Sequence, residues 1–147
     1  MIIDVNKLKY SGKLEADFAF LYTASENLLL VDDSVIDGPI SVSVTVELHD
    51  SSVYVDGTVS CTIVGRCARC VEQAVYEFST DLSVRYVLNN PEENDYLYKR
   101  GIVDLTDAVN EKIVTDAPTV IYCKDNCKGL CPKCGCNLNL EDCNCKI

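Results

Sequence analysis

Ten cysteines are spread unevenly along this 147-residue chain, and that distribution constrains the fold more than any other feature. Three of them, Cys61, Cys67 and Cys70, fall in residues 1–117, and seven crowd into residues 123–147. The cysteine-dense stretch offers only Leu130, Leu138, Leu140 and Ile147 as large apolar side chains. Hydrophobic burial alone cannot order it, whereas a metal held by thiolates can. The first residues lack the basic start, apolar run and small-residue cleavage site of a secretory signal, so the expected compartment is the cytoplasm. Disulfides are rare there, which makes metal ligation the leading reading of the cysteines.

Eight of the ten fall into close pairs: Cys67/Cys70 in CARC, Cys123/Cys127 in CKDNC, Cys131/Cys134 in CPKCG and Cys143/Cys145 in CNC. A two-residue gap lets both thiolates point at one ion from a tight turn. A glycine after the second cysteine lets the chain bend so that its amides face the sulfurs. A tetrahedral zinc site then needs two further ligands. The nearest complement to CPKCG is CNC, so Cys131, Cys134, Cys143 and Cys145 are expected to form one zinc site. Cys67, Cys70, Cys123 and Cys127 form a candidate second site that would staple the two parts of the chain together. One zinc using a different four of the eight remains an alternative, as does a redox role for the Cys67/Cys70 pair. Cys61, on a strand, reads as a small buried side chain, and Cys136 as a bystander.

The expected fold class is α+β, mainly antiparallel sheet with one or two helices and a C-terminal zinc knuckle. Residues 1–117 read as a β-rich domain ending in a helix, and residues 118–147 as a cysteine-rich zinc-binding tail. Val42, Val44, Val46 and Leu48 alternate with polar residues, as in a half-buried strand. The run Val53 to Val64 alternates again after a polar turn at His49 to Ser52, predicting a hairpin. Ala74 to Leu88 reads as a third strand, and Leu14 to Tyr22 and Leu28 to Val31 as further ones. Residues 89–94, NNPEEN, read as a loop. Leu105, Ala108, Val109 and Ile113 share one face of a helix capped by Asp104 or Thr106 and stopped at Pro118. A short helix is also expected over Asp4 to Lys9.

The formal net charge is −10, which opposes non-specific binding to a phosphate backbone. Any RNA contact would need a local basic patch or a protein intermediary. Arg66, Arg69, Lys124, Lys128, Lys133 and Lys146 each lie within two residues of a cysteine, and they are six of the thirteen basic residues. They either balance thiolate charge or form such a patch. His49 is the sole histidine and sits in a polar turn, so histidine-based hydrolysis is not expected. There is no glycine-rich phosphate loop or dinucleotide fingerprint. No segment approaches the roughly 20 apolar residues that span a membrane. A zinc enclosed by four cysteines has no open position for substrate, so the chain reads as a non-enzyme without a small-molecule substrate. A DNA-binding zinc module ranks last, because the one long helix carries Asp107, Glu111 and Asp116 against Lys112.

The segment CKDNCKGLCPKCGCNLNLEDCNC, from Cys123 to Cys145, resembles the C-terminal signature of the YceD family, described as the large ribosomal RNA subunit accumulation protein. CARCVEQ resembles that family's upstream motif, with Val71 where leucine is usual. The resemblance spans roughly residues 60–147. It implies a role in accumulation of 23S ribosomal RNA and large-subunit assembly. The partner would be precursor large-subunit rRNA or a basic ribosomal protein. It marks Cys67, Cys70, Cys123, Cys127, Cys131, Cys134, Cys143 and Cys145 as motif positions, leaves out Cys61 and Cys136, and implies no catalytic residue.

Overall fold

The computed structural model describes residues 1–25, 28–29, 31 and 33–145. In chain order the elements are β1 (Ile2–Asp4), α1 (Val5–Tyr10), β2 (Glu15–Tyr22), β3 (Val35–His49), β4 (Ser52–Arg66), β5 (Gln73–Val87), β6 (Asp95–Leu97), β7 (Ile102–Asp104) and α2 (Thr106–Asp116). The fold is α+β, and its centre is a five-stranded sheet in the order β2-β3-β4-β5-β6. Strands β2 to β5 pair antiparallel, and only β6 runs parallel to its neighbour β5.

The period of two explains the long strands. Val42, Val44, Val46 and Leu48 on β3, Val53, Val55, Val59, Cys61 and Ile63 on β4, and Phe78, Leu82 and Tyr86 on β5 are all buried. In register, Cys61 lies opposite Phe78, Val55 opposite both Val46 and Val84, and Val53 opposite both Leu48 and Tyr86. Such cross-strand rows on one face are what a half-buried sheet stabilises. The β3–β4 hairpin closes through Asp50 and Ser51, with Asp50 at φ 49°, a left-handed setting that Asp tolerates. Gly57 faces Val44 across the pair so closely that a Cβ there would lie 2.0 Å from the Ser43 carbonyl oxygen.

The apolar face is covered by α2, through Ala108, Val109 and Ile113, by the small β1–β7 ribbon with Ile3 and Val103, and by the residues that follow its strands, Val5 and Leu105. Asp104 supports the start of α2 by accepting from the Thr106 amide at 3.0 Å, and Asp4 caps α1 by accepting from the Lys7 amide at 3.0 Å. The opposite face has no covering element among the described residues. It is polar, with short contacts from Thr45 to Asp17 and from Ser83 to Asp56, both 2.6 Å.

Three expectations change. The N-cap of α2 is Leu105, not Asp104 or Thr106, and it makes no side-chain cap hydrogen bond. Leu28, Leu29 and Val31 are not in a strand, and Leu30 lies outside the described residues. Leu28 and Leu29 instead pack partly buried against the core, which accounts for their apolar character without a strand. Strands β1, β6 and β7, three residues each, were not anticipated, because such short segments carry no readable alternation. No helix among the described residues is long and apolar enough to cross a membrane.

Candidate metal centres

The cysteines gather into two clusters, each built on a turn of the same design. Cys67 and Cys70 occupy the connection between β4 and β5; Cys131 and Cys134 lie in the tail after α2. In the first turn the Cys67 amide donates to the Glu72 carbonyl at 2.7 Å and the Val71 amide to the Cys67 carbonyl at 3.0 Å. The second turn repeats both bonds: Cys131 amide to Cys136 carbonyl at 2.8 Å, and Gly135 amide to Cys131 carbonyl at 2.9 Å. The residue after the second cysteine is left-handed in both, Gly135 at φ 76° and Val71 at φ 64°. Glycine enters that region freely, whereas a β-branched valine is strained there.

The turn aims backbone amides at sulfur. Arg69 N–H points at Cys67 Sγ and Lys133 N–H at Cys131 Sγ, both 3.4 Å, and Cys145 N–H points at Cys143 Sγ at 3.3 Å. An amide hydrogen bond stabilises a thiolate over a thiol. Burial raises the Cys67 thiol, but amides of Cys123, Cys70 and Arg69 outweigh it and hold the group at about 6. Amides of Cys134 and Lys133 bring Cys131 to about 6 as well. Burial and the Cys70 thiol push Cys123 up to about 12. The amides of the two turns thus favour the thiolate form at Cys67 and at Cys131.

In the first cluster, the sulfurs of Cys67, Cys70, Cys123 and Cys127 all lie within 4.8 Å of one another. Cys67 Sγ is 3.7 Å from Cys127 Sγ, and Cys70 Sγ is 3.6 Å from Cys123 Sγ. A tetrahedral ion with metal–sulfur bonds of about 2.3 Å sets its sulfurs roughly 3.8 Å apart, whereas a disulfide brings them to about 2 Å. The separations fit a caged ion. Cys67, Cys70 and Cys127 are buried and Cys123 is exposed. The tail docks on the sheet beside this cluster: Ile121 bridges Cys67 in parallel, and the Ala68 amide donates to the Ile121 carbonyl at 2.9 Å.

The second cluster differs from the spacing-based expectation in one member. The sulfurs that lie within 4.8 Å of one another are those of Cys131, Cys134, Cys136 and Cys143. Cys136, read from spacing as a bystander, is among them, and Cys145 is not. The Cys145 backbone amide nevertheless donates to Cys143 Sγ at 3.3 Å. Cys143 Sγ lies 3.2 Å from Cys131 Sγ and 3.6 Å from Cys134 Sγ. Each cluster could therefore hold one metal ion.

The remaining candidates divide. Cys61 is in the core, where burial, then the Glu77 charge, raises its thiol. Arg69 fastens the tail: its guanidinium donates to the carbonyls of Asp125 and Cys127, both at 3.3 Å, and lies 4.6 Å over the Tyr122 ring. Arg66 reaches Asp33 at 3.8 Å. Lys124, Lys128 and Lys133 are exposed, and Lys146 lies outside the described residues. Sequence reasoning missed Asn139. Its side-chain amide donates to Cys127 Sγ at 3.3 Å, and its carbonyl oxygen accepts from the Lys128 amide at 2.9 Å. The NLN motif carried that signal, but its role depends on the tail folding back.

A β-sheet protein carrying two four-sulfur clusters on paired cysteine turns, each able to hold a metal ion, is by its geometry a candidate metal-binding protein. The family described as "Large ribosomal RNA subunit accumulation protein YceD" matches residues 55–147, and the chain belongs to that family. An uncharacterized protein of Mycobacterium leprae is 28% identical over 112 residues, covering 70% of this chain and 51% of its own length. An uncharacterized protein of Mycobacterium tuberculosis strain H37Rv is 24% identical over 121 residues, covering 78% of this chain and 57% of its own. The chain thus spans about half the length of the curated relatives it matches. No solved structure matches.

Proposed function

We propose that this protein is a non-catalytic, cytoplasmic factor supporting 23S rRNA accumulation and large-subunit assembly, with a zinc ion in each cysteine cluster. Family membership carries the process. The sulfur separations and the all-thiol donor sets suit zinc, and a four-thiolate site leaves no position for substrate.

The contact could be made with precursor rRNA or with a ribosomal protein, and charge favours the protein. Register places Glu15, Asp17, Asp37, Glu47, Asp56, Glu77 and Asp81 on the uncovered face of the sheet, and all are exposed. Arg85 shares that face, but Asp95 binds its guanidinium at 2.9 and 2.5 Å. Each four-thiolate zinc adds about −2, taking the loaded chain from −10 to roughly −14. Such a surface repels phosphate and attracts a Lys/Arg-rich protein. The test is to deplete the protein, measure 23S rRNA, and compare binding of basic ribosomal proteins and of rRNA at physiological salt. Loss of 23S rRNA on depletion, with protein binding abolished by Asp17→Lys, Asp56→Lys and Asp81→Lys together, supports the reading. Unchanged 23S rRNA removes the assembly role, and binding to naked rRNA alone removes the protein-partner version.

A second reading is a thiol redox protein using the CARC pair Cys67 and Cys70, whose turn points the Arg69 amide at Cys67 Sγ at 3.4 Å. Alkylation decides between the two. Thiols that resist alkylation until a chelator is added belong to a metal site; immediate labelling and disulfide turnover would favour redox chemistry.

A further inference from the structure

We infer that the two clusters are coupled through Asn139, so that filling the second strengthens the hold of the first on its ion; this rests on the zinc reading above and goes beyond it. Cys127 belongs to the first cluster and Cys131 to the second, and only Lys128, Gly129 and Leu130 separate them. So short a connector cannot absorb much movement, and the position of either sulfur bears on the other. Gly129 takes φ 76°, and a Cβ there would lie 3.2 Å from the Arg69 carbonyl oxygen. The connector therefore passes close against the turn that carries Cys67 and Cys70.

The second cluster supplies the residues that fasten this connector. Its Cys136 and Cys143 enclose residues 137–142, and Asn137 to Asn139 fold back along Lys128 to Leu130. Leu130 bridges Asn137, and the Leu138 amide donates to the Gly129 carbonyl at 3.0 Å. Asn139 completes the attachment with both ends of its side-chain amide. The Lys128 amide can only donate, so the Asn139 carbonyl oxygen faces it at 2.9 Å and the NH2 group is turned toward Cys127 Sγ, 3.3 Å away. Asn137 Oδ1 holds that orientation, accepting from the same NH2 group at 2.9 Å and from the Asn139 backbone amide at 3.0 Å.

A side chain on the loop of one cluster thus donates to a ligand sulfur of the other. An N–H aimed at sulfur offsets part of the charge that four thiolates bring to an ion, and loss of such an outer contact weakens metal binding about 10-fold or more. Gathering Cys131, Cys134, Cys136 and Cys143 round one ion pins both ends of the 137–142 loop and so holds Asn139 where it meets Cys127. The entropy lost in ordering that loop then falls on the second site rather than on the first. Coupling of this kind is reciprocal: whatever factor the second site adds to the first, the first returns to the second. Asn139 is a positioning residue and not a ligand.

The test loads the full-length chain with zinc, raises the chelator concentration in steps, and alkylates at each step. Peptide mapping then reads the release of Cys67 and Cys70 separately from that of the tail cysteines. The wild type is compared with Asn139→Ala, with Asn139→Asp, with Cys131→Ser and Cys134→Ser together, and with that pair combined with Asn139→Ala. The chelator concentration that half-exposes Cys67 and Cys70 should fall about 10-fold in Asn139→Ala, and by a similar factor when the second site is removed. The combined form should fall no further, because both changes withdraw the same hydrogen bond. Asn139→Asp keeps an oxygen for the Lys128 amide but loses the donor to sulfur, so it should match Asn139→Ala. An unchanged midpoint on removal of the second site overturns the coupling. Factors that multiply in the combined form, or full retention in Asn139→Asp, overturn Asn139 as its carrier. Immediate labelling of Cys67 and Cys70 in the zinc-loaded wild type, before any chelator, takes down the zinc reading and the coupling with it, a result distinct from the others.

Discussion

At Val71 and Gly57 the backbone makes opposite demands on the side chain. Val71 holds φ 64° in the turn after Cys70, where its structural counterpart in the second cluster is Gly135 at φ 76°. A β-branched residue in that region is strained by about 1–2 kcal/mol. Val71→Asn should therefore stabilise the fold by about 1 kcal/mol in chemical denaturation, since Asn enters the region readily. Gly57→Ala should do the reverse. Its Cβ would meet the Ser43 carbonyl oxygen at 2.0 Å and the Val44 Cα at 2.7 Å, backbone atoms that cannot move aside. Destabilisation of about 3 kcal/mol is expected, at the upper end of overpacking. Asn139→Ala removes the hydrogen bond to Cys127 Sγ. Outer-shell losses of this kind weaken metal binding about 10-fold or more, which competition with a chromogenic chelator would read. The paired cysteines were legible because a tight turn needs only local spacing. The place of Cys136 was not, since spacing cannot say whether Cys136 or Cys145 folds nearer to Cys131.

Legibility changes again at the level of elements. Strands β2 to β5 run long enough to display alternation, and α2 displays its apolar face in Leu105, Ala108, Val109 and Ile113. Strand β1 finds its partner β7 about a hundred residues away, with Ile3 opposite Val103, and no local pattern encodes that meeting. Asp95 is one anchor of the parallel addition of β6 to β5. Asp95 accepts from Arg85 and from the Glu92 amide, and these hydrogen bonds hold its carboxyl below the ordinary carboxylate range. With the folded value depressed, its stabilising contribution is complete above the ordinary range, about 4, and disappears as pH falls through the lower folded value. Amides of β6 should lose exchange protection below about pH 4, before those at the β3–β4 pairing. Chelation should act elsewhere: the tail beyond Ile121 should lose protection while β3, β4 and the body of β5 keep theirs. A tail that stays protected after complete metal removal would mean that the sulfurs order nothing.

Across the whole molecule, two surfaces carry opposite roles. One face of the sheet is consumed by the core. The other carries seven exposed carboxylates. Binding of a basic protein to that face should weaken steeply as salt rises from 50 to 200 mM, as screened charge pairs do. The first cluster also imposes an order of events on synthesis. Cys67 and Cys127 are 60 residues apart, so at roughly 5–20 residues per second the ribosome needs about 3–12 s to deliver the second after the first. During that wait β4 and β5 can pair, while Cys67 and Cys70 stand open at the end of their hairpin. An ion closing this cluster would therefore act as a latch thrown late in translation. A chain stalled before Cys123 would carry a formed sheet and an unlatched pair of thiols, and so differ chemically from one that had passed that point.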